Sequence, residues 1–344
     1  MIDIATVKIA GGMDLTNEEA YAAIDEIMSG NVDNMATASF LTALQVKGAT
    51  PGEVTASARA MRDHAEHFDQ DGEYLEIVGT GGDKSGSFNI STTSAFVCAA
   101  GGVKVAKHGN RAATSKSGAA DVLEALGACI TLSPESSRRL LEETGFCFLF
   151  AARYHKAMKY VAPVRKALPI PTVFNLLGPM TNPAAPKYQL LGVYSEKLVV
   201  PMAHVLHGMG VKHGLSIFGT DGLDEISASA ETKVCEFIDD EYNEYVIKPE
   251  DFGLVRGKKE DIIGGTPEEN AEITRSVLNG AKGTQRNAVL MNAGAAFYVT
   301  GKVPDIRSGV EMAAELIDSG SASKTMNRYI EMSQKLSESE QPAA

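Results

Sequence analysis

Leu75-Glu-Ile-Val78, then Gly79-Thr80-Gly81-Gly82-Asp83, then Asn89-Ile90-Ser91-Thr92: the reading of this stretch decides the fold. A short apolar run, a glycine-rich loop and a polar helix start make a strand–loop–helix unit, with the helix running through Thr92 to Ala100. The unit recurs downstream. Val103 to Ala106 reads as a second strand, followed by a polar loop and a helix from about Ser117 to Leu126. Ala128-Cys-Ile130 reads as a third strand, Ser133-Pro134 caps another helix, and Phe146 to Phe150 reads as a fourth strand. Strands alternating with helices imply a parallel sheet with crossover helices. Ligands of such sheets bind beyond the carboxyl ends of the strands, so loops placed there are expected to converge on one site.

Upstream, the chain reads as helices. Thr16-Asn-Glu-Glu19 and Thr50-Pro51-Gly52-Glu53 are capping boxes, the second with proline at the first helical position. Between them a helix from about Asn34 to Lys47 carries Met35, Ala38, Leu41 and Leu44 on one face and stops at Gly48. Downstream, residues 155 to 183 break the alternation with a helix and a proline-rich segment, read as a connection that leaves the sheet and packs on the first helices. Strands resume at Gln189 to Tyr194 and Gly214 to Phe218, Lys233 to Ile238 and Glu244 to Ile247 read as a hairpin, and three helices follow from Pro267. The tail, residues 337–344, is expected to fray. The fold class is α/β: a small all-helical domain plus a larger α/β domain with a central, mainly parallel sheet flanked by helices.

The 344 residues carry a formal net charge of -12, which repels nucleic-acid phosphates and anionic lipid. Neither is expected as a partner. Cys98, Cys129, Cys147 and Cys235 form no CxxC pair, and three lie in apolar stretches, as reduced thiols of a cytoplasmic protein would. No apolar run approaches the roughly 20 residues that span a bilayer. Met1 to Ala10 lacks a basic region followed by an apolar one, so no signal peptide is expected.

Three loops carry the chemistry. In the first, Gly79 to Asp83 lets backbone N–H groups turn toward an anion, and Ser91 and Thr92 open a helix whose free N–H groups favour phosphate. It is not a dinucleotide fingerprint, because Lys84 stands where the third glycine belongs, and no GxxxxGK[ST] occurs. The second loop, Lys107-His108-Gly109-Asn110-Arg111 with Thr114, Ser115 and Lys116, concentrates cations and hydroxyls in an acidic chain, as a polyanion site requires. The third, Asp221-Gly222-Leu223-Asp224-Glu225, offers adjacent carboxylates. Alone it would be a solvated turn. Beside two anion cradles, carboxylates make sense through a hard cation such as Mg²⁺ that bridges to phosphate.

These loops, together with Arg165, Phe174-Asn-Leu-Leu-Gly-Pro179, Asn182-Pro183 and Gly222-Leu-Asp-Glu-Ile226, resemble the anthranilate phosphoribosyltransferases. The motifs match in order and at comparable spacing, up to about residue 300. The resemblance implies a nucleoside-phosphorylase-like fold with a helical domain of residues 1–70 and about 165–185. An α/β domain would comprise 73–164 and 186–336. It also implies a homodimer joined through the helical domain, and the formation of N-(5-phosphoribosyl)anthranilate and pyrophosphate from phosphoribosyl pyrophosphate (PRPP) and anthranilate. Carried over residue by residue, Gly79, Gly82, Asp83, Ser87, Asn89, Ile90, Ser91 and Thr92 contact PRPP. Lys107, His108, Gly109, Asn110, Arg111, Ala112, Ala113, Thr114 and Ser115 wrap its phosphates and ribose, with Ala119 at the next helix. Ser91, Asp224 and Glu225 hold Mg²⁺, and Lys107, Asp224 and Glu225 are the catalytic set. Gly79, His108, Asn110, His155 and Arg165 meet anthranilate, Arg165 at its carboxylate. The chain departs from the family at Ser87 (often Thr), Ala119 (often Ser) and Ala152 (typically Pro). Two other readings are a pyrimidine nucleoside phosphorylase, which shares the fold and a similar glycine loop, and a non-catalytic relative that binds nucleic acid or a regulatory ligand. The acidic pair and Lys107-His-Gly-Asn110 favour the pyrophosphate donor.

Overall fold

The computed structural model describes residues 1–68, 72–112 and 115–340. Four helices open the chain: α1 (Ile2–Ala10), α2 (Asn17–Met28), α3 (Asn34–Lys47) and α4 (Pro51–Asp63). Thr16 and Thr50 each accept the N–H of the glutamate three residues on, whose carboxylate returns to the threonine N–H. Both capping boxes therefore form as the sequence predicts. On α3 the buried face is Thr37, Phe40, Leu41 and Leu44, while Met35 turns to solvent, 80% exposed.

The strand–helix alternation then begins: β1 (Leu75–Gly79), α5 (Ile90–Ala100), β2 (Val105–Gly109), α6 (Ala119–Ala125), α7 (Pro134–Thr144) and β3 (Phe146–Phe150). Short helices α8 (Ala151–Tyr154), α9 (Ala162–Ala167) and α10 (Phe174–Leu177) lead away from the sheet and back to β4 (Tyr188–Gly192). Next come α11 (Val199–Gly208), β5 (His213–Gly219) and the hairpin β6 (Thr232–Ile238) and β7 (Glu241–Ile247). The seven strands lie in the order β3-β2-β1-β4-β5-β6-β7, with parallel pairing except where β6 pairs antiparallel with β5 and β7. Near-continuous apolar strands such as Phe-Cys-Phe-Leu-Phe fit a parallel sheet covered on both faces.

Four helices close the chain, one more than the pattern predicts: α12 (Pro267–Leu278), α13 (Thr284–Val299), α14 (Ile306–Asp318) and α15 (Ser321–Glu340). Gly320, at φ +74, separates the last two. Three further expectations need correction. Ala128-Cys-Ile130 is not a strand; the Cys129 N–H donates to Ser333 Oγ on α15 at 3.0 Å, so this segment is tied to a helix. The second strand lies at Val105–Gly109, so Lys107, His108 and Gly109 belong to β2 and not to the loop after it. Residues 337–340 continue α15, held by Ser133, whose N–H donates to the Glu340 carboxylate at 3.0 Å; residues 341–344 lie outside the described residues.

One core lies between the sheet and α5, α13 and α15. A second is shared by the four opening helices, the α9–α10 connection, α11 and side chains of β4 and β6. Glu53 is the charged residue on which the opening helices hinge. It is fully buried and accepts from the Leu15 N–H (2.9 Å), the Thr50 N–H (2.7 Å) and Lys47 Nζ (2.8 Å). Removing one partner of a buried, hydrogen-bonded ion pair leaves the other uncompensated. Glu53→Ala is therefore expected to lower unfolding free energy by about 3 kcal/mol, read as a lower urea midpoint.

Candidate functional site

The chain reverses its direction of travel across the sheet between β1 and β4, and these strands end level with each other, Gly79 opposite Gly192. Asp224 rests on both ends. A Cβ on Gly79 would lie 2.3 Å from Asp224 Oδ2, and one on Gly192 would lie 1.6 Å from the Asp224 backbone oxygen. Only glycine at both positions lets the acidic loop approach this closely. The approach is locked by hydrogen bonds: the Gly81 N–H donates to Asp224 Oδ2 at 2.7 Å, and the Ser91 N–H, in the first turn of α5, donates to Glu225 Oε1 at 3.1 Å. The first and third predicted loops thus meet through their carboxylates and amides.

Asp224 and Glu225 are nearly buried, and the surroundings oppose their ionisation. Burial chiefly, then the Asp83 and Glu225 charges, holds the Asp224 carboxyl well above its usual range. Burial likewise pushes Glu225 up to about 7, against the pull of Lys107 and Ser91. Asp83 Oδ2 is buried beside them without a donor. Carboxylates crowded together with an unmet acceptor fit a hard cation, with Asp224, Glu225 and the Ser91 hydroxyl as its oxygens. Among the described residues no three acidic, imidazole or thiol side chains close into a cage.

The second loop joins through Lys107, 1% exposed. Its Nζ donates to the Ile77 carbonyl of β1 at 2.5 Å and to Ser91 Oγ at 3.3 Å. Burial pushes the ammonium down, opposed by Glu76, Glu225 and Asp224. Glu76, in the middle of β1, is fully buried; burial pushes its carboxyl up, opposed by the Lys107 charge, the Asn182 amide and the His108 N–H. Next along β2, the His108 ring stands edge to face with His155 at 5.0 Å between centroids. His108 Nδ1 faces the Gly178 carbonyl at 3.3 Å, and its Nε2 is buried without a partner. Burial keeps both rings neutral, His108 well below the usual imidazole range and His155 at about 4. Here the two histidines make an uncharged aromatic wall.

The remaining predicted residues divide. Asn89 cross-links the site: its Oδ1 accepts from Ser117 Oγ (3.2 Å) and Asn270 Nδ2 (2.9 Å), and its Nδ2 donates to the Ser117 carbonyl (3.3 Å). Ile90 and Thr92 are buried in α5, Gly82 turns the first loop at φ +79, and Ser87 bridges to Ile263. Ala119 packs against the space beside Gly109, and the Ser115 hydroxyl turns to the Ser117 carbonyl at 3.4 Å. The Ala112 N–H is held by Asp121 Oδ2 at 2.8 Å, while Ala113 and Thr114 lie outside the described residues. Two cations stand apart. Arg111 is exposed, engaged by Asp121 and Glu124 and lying over Phe150. Asn110 Oδ1 caps the Arg111 N–H. Arg165 sits in the last turn of α9 over the Phe174 ring, 5.8 Å from its centroid, with no carboxylate in ion-pair contact among the described residues.

Sequence reading did not single out Glu76, Gly192, Asp121 or Asn270. A charged residue inside an otherwise apolar central strand was the available signal for Glu76. The Gln-Leu-Leu-Gly192 strand end, which mirrors Ile-Val-Gly79, was the signal for Gly192.

The family model "Glycosyl transferase family, a/b domain" matches residues 71–323, and "Glycosyl transferase family, helical bundle domain" matches residues 4–65. The chain is 57% identical over 331 residues to the anthranilate phosphoribosyltransferase of Methanobrevibacter smithii, covering 96% of this chain and 99% of that one. The crystal structure of anthranilate phosphoribosyltransferase from Thermus thermophilus superposes with a TM-score of 0.91 at 45% identity, covering 96% of this chain and 99% of that one. The Saccharomyces cerevisiae enzyme in complex with PRPP and Mg superposes with a TM-score of 0.89 at 30% identity, covering 97% and 98%. The yeast enzyme is also solved in complex with 4-fluoroanthranilate.

The raised Glu225 makes the site costly without a cation. Below about pH 4.5 the carboxyl is protonated in folded and unfolded chains alike, so it costs nothing. Between about 4.5 and 7 the unfolded chain loses a proton that the folded chain keeps, and stability falls as pH rises. Glu225→Gln in EDTA is expected to stabilise the fold by about 3 kcal/mol at roughly pH 8 and by almost nothing at roughly pH 4, by urea unfolding.

Proposed function

The chain belongs to the anthranilate phosphoribosyltransferase family, and from that premise we propose that Asp224, Glu225, Ser91 and Lys107 carry its reaction through Mg²⁺-bound PRPP. The enzyme transfers the 5-phosphoribosyl group of PRPP to the amine of anthranilate, giving N-(5-phosphoribosyl)anthranilate and pyrophosphate, a step of tryptophan biosynthesis. The bond from ribose C1 to the pyrophosphate oxygen breaks, a bond from C1 to the amine nitrogen forms, and the amine releases a proton. Near-complete coverage of relatives at this level of identity sets the nucleoside phosphorylase reading aside.

The observation that carries the residue roles is the convergence of two carboxylates, a lysine and two loop amides at the ends of β1 and β4. Asp224, Glu225 and the Ser91 hydroxyl would hold Mg²⁺, which supplies positive charge to the pyrophosphate leaving group. Lys107 adds a fixed cation where negative charge develops, at low cost in reorganisation. The acceptor amine is neutral at pH 7, so the site needs no strong base. Orientation of the amine in line with C1 supplies much of the remaining rate, with inversion expected at C1. The neutral His108–His155 wall suits the aromatic ring of anthranilate. Arg165, with no carboxylate in ion-pair contact among the described residues, suits its carboxylate.

The test is a coupled assay of pyrophosphate release and loss of anthranilate fluorescence with PRPP and Mg²⁺. Both signals are expected together in the native chain. Asp224→Ala with Glu225→Ala is expected to cut turnover at least about a thousandfold at saturating Mg²⁺, with circular dichroism unchanged. Turnover at the native rate would remove these residues from the mechanism.

We also propose a cytoplasmic homodimer formed through the opening helices. Ile4, Val7, Met35 and Val46 lie exposed on α1 and α3, Val7 and Val46 at 75% and 81%. Large apolar side chains exposed on two helices that pack together suit a protein interface. Sedimentation of the native chain is expected at about twice its 36.5 kDa mass, and Val7→Glu with Val46→Glu is expected to halve it.

A further inference from the structure

β1 and β2 pair at a single position, Leu75 with Val105, whereas β1 pairs with β4, and β2 with β3, over five positions each. Beyond Val105 the two strands part. Backbone groups along the resulting seam are met by side chains. Both oxygens of Glu76 accept the His108 N–H, at 3.2 and 3.1 Å. Asn182 Nδ2 donates to the Ala106 carbonyl at 2.7 Å and to the Glu76 carboxylate. Asn182 is itself fixed, its Oδ1 accepting the Ala184 N–H at 2.9 Å. The same connection presents the Gly178 carbonyl to the His108 ring and the Pro179 carbonyl to Gln189 Nε2 of β4 at 3.0 Å. One buried carboxylate therefore joins β1, β2 and the segment that returns from α9 and α10.

We propose that Glu76 is a positioning residue for the acceptor: it ties the end of β2 to the 178–182 connection and so sets the His108 wall against which anthranilate lies. The assignment rests on the reading above that His108 borders the acceptor. A carboxylate suits the position because the groups it meets, the His108 N–H and the Asn182 amide, are donors. An amide there would aim its own N–H at one of them, in a space closed to water. The donor-side carboxylates are fastened by other groups, the Gly81 and Ser91 amides, and Lys107, though it feels the Glu76 charge, is held by its own bonds to the Ile77 carbonyl and Ser91 Oγ. Loss of the Glu76 link should therefore divide the two substrates.

The test compares Glu76→Gln, Asn182→Ser and the double variant by steady-state kinetics, with PRPP and Mg²⁺ binding by calorimetry. Glu76→Gln is expected to raise the anthranilate KM about tenfold or more and to leave the PRPP Kd within about threefold. Asn182→Ser is expected to act in the same direction but less, and the double variant to be no worse than Glu76→Gln, since both cut one link. Additive effects, a selective rise in the PRPP Kd, or an unchanged anthranilate KM with only a lower Tm would each overturn the proposal. Should Glu76→Gln fail to fold, Asn182→Ser decides alone, because it leaves the His108 N–H bonded to Glu76; an unchanged anthranilate KM in it overturns the proposal. Native turnover separates the two levels: its absence refutes the functional reading, whereas native turnover with unmoved variants refutes only the role of Glu76.

Discussion

The close seating of Asp224 on two strand ends is the constraint from which the rest of the site follows. Gly79 and Gly192 face each other across the first and fourth strands, and either one with a side chain would strike the Asp224 backbone or carboxylate. The absence of two Cβ atoms lets the acidic loop that follows β5 reach the glycine loop and the start of α5. Once it is there, the Gly81 and Ser91 amides hold it. The glycine loop thus serves two partners, the loop carboxylates and, by our reading, the phosphates of PRPP. A cation is what lets the two anions coexist.

Charge placement follows the same logic. A chain of net charge -12 cannot attract a polyphosphate by its general field. It concentrates cation at one point instead, with Lys107 almost wholly buried among Glu76, Asp224 and Glu225. Each of these groups is disfavoured by burial, and each is partly restored by its neighbours. Such an arrangement is poor for stability and good for catalysis, since fixed charges in a dry site need little rearrangement as the leaving group departs.

Much of this was legible in the sequence because the chemistry is local. Capping boxes, the glycine loop, the Lys107–Arg111 run and the Asp224-Glu225 pair are contiguous words, and β1, β3 and the β6–β7 hairpin carry plain apolar patterns. What was not legible depends on distant partners. Ala128-Cys-Ile130 has strand composition, yet Ser333, two hundred residues on, takes its N–H. Met35 shares the helical spacing of Leu41 and Leu44 but lies on the rim of the buried face. Arg111 is ion-paired with Glu124, one helix later, a contact its own loop does not announce. Asn182 was visible as part of a motif, but its partner Glu76 lies over a hundred positions earlier and reads locally as an ordinary strand residue.

The seam between β1 and β2 shows why this information is hard to read and why the fold needs it. A fully laddered parallel sheet would spend the His108 N–H and Ile77 carbonyl on each other's strands and leave no room for a lysine side chain. Parting the strands opens that room, and the buried polar groups it exposes must then be satisfied by side chains. Glu76, Lys107 and Asn182 do so, and none of them is interchangeable with an apolar residue of similar size. The space that admits the Lys107 amine is the same space that must be closed by Glu76 and Asn182. Placing a lysine ammonium inside the sheet therefore obliges the sheet to recruit the 178–184 connection, and with it the helical side of the molecule, as part of its own hydrogen bonding. Coupling of the two halves of the site is in this sense a consequence of burying one lysine.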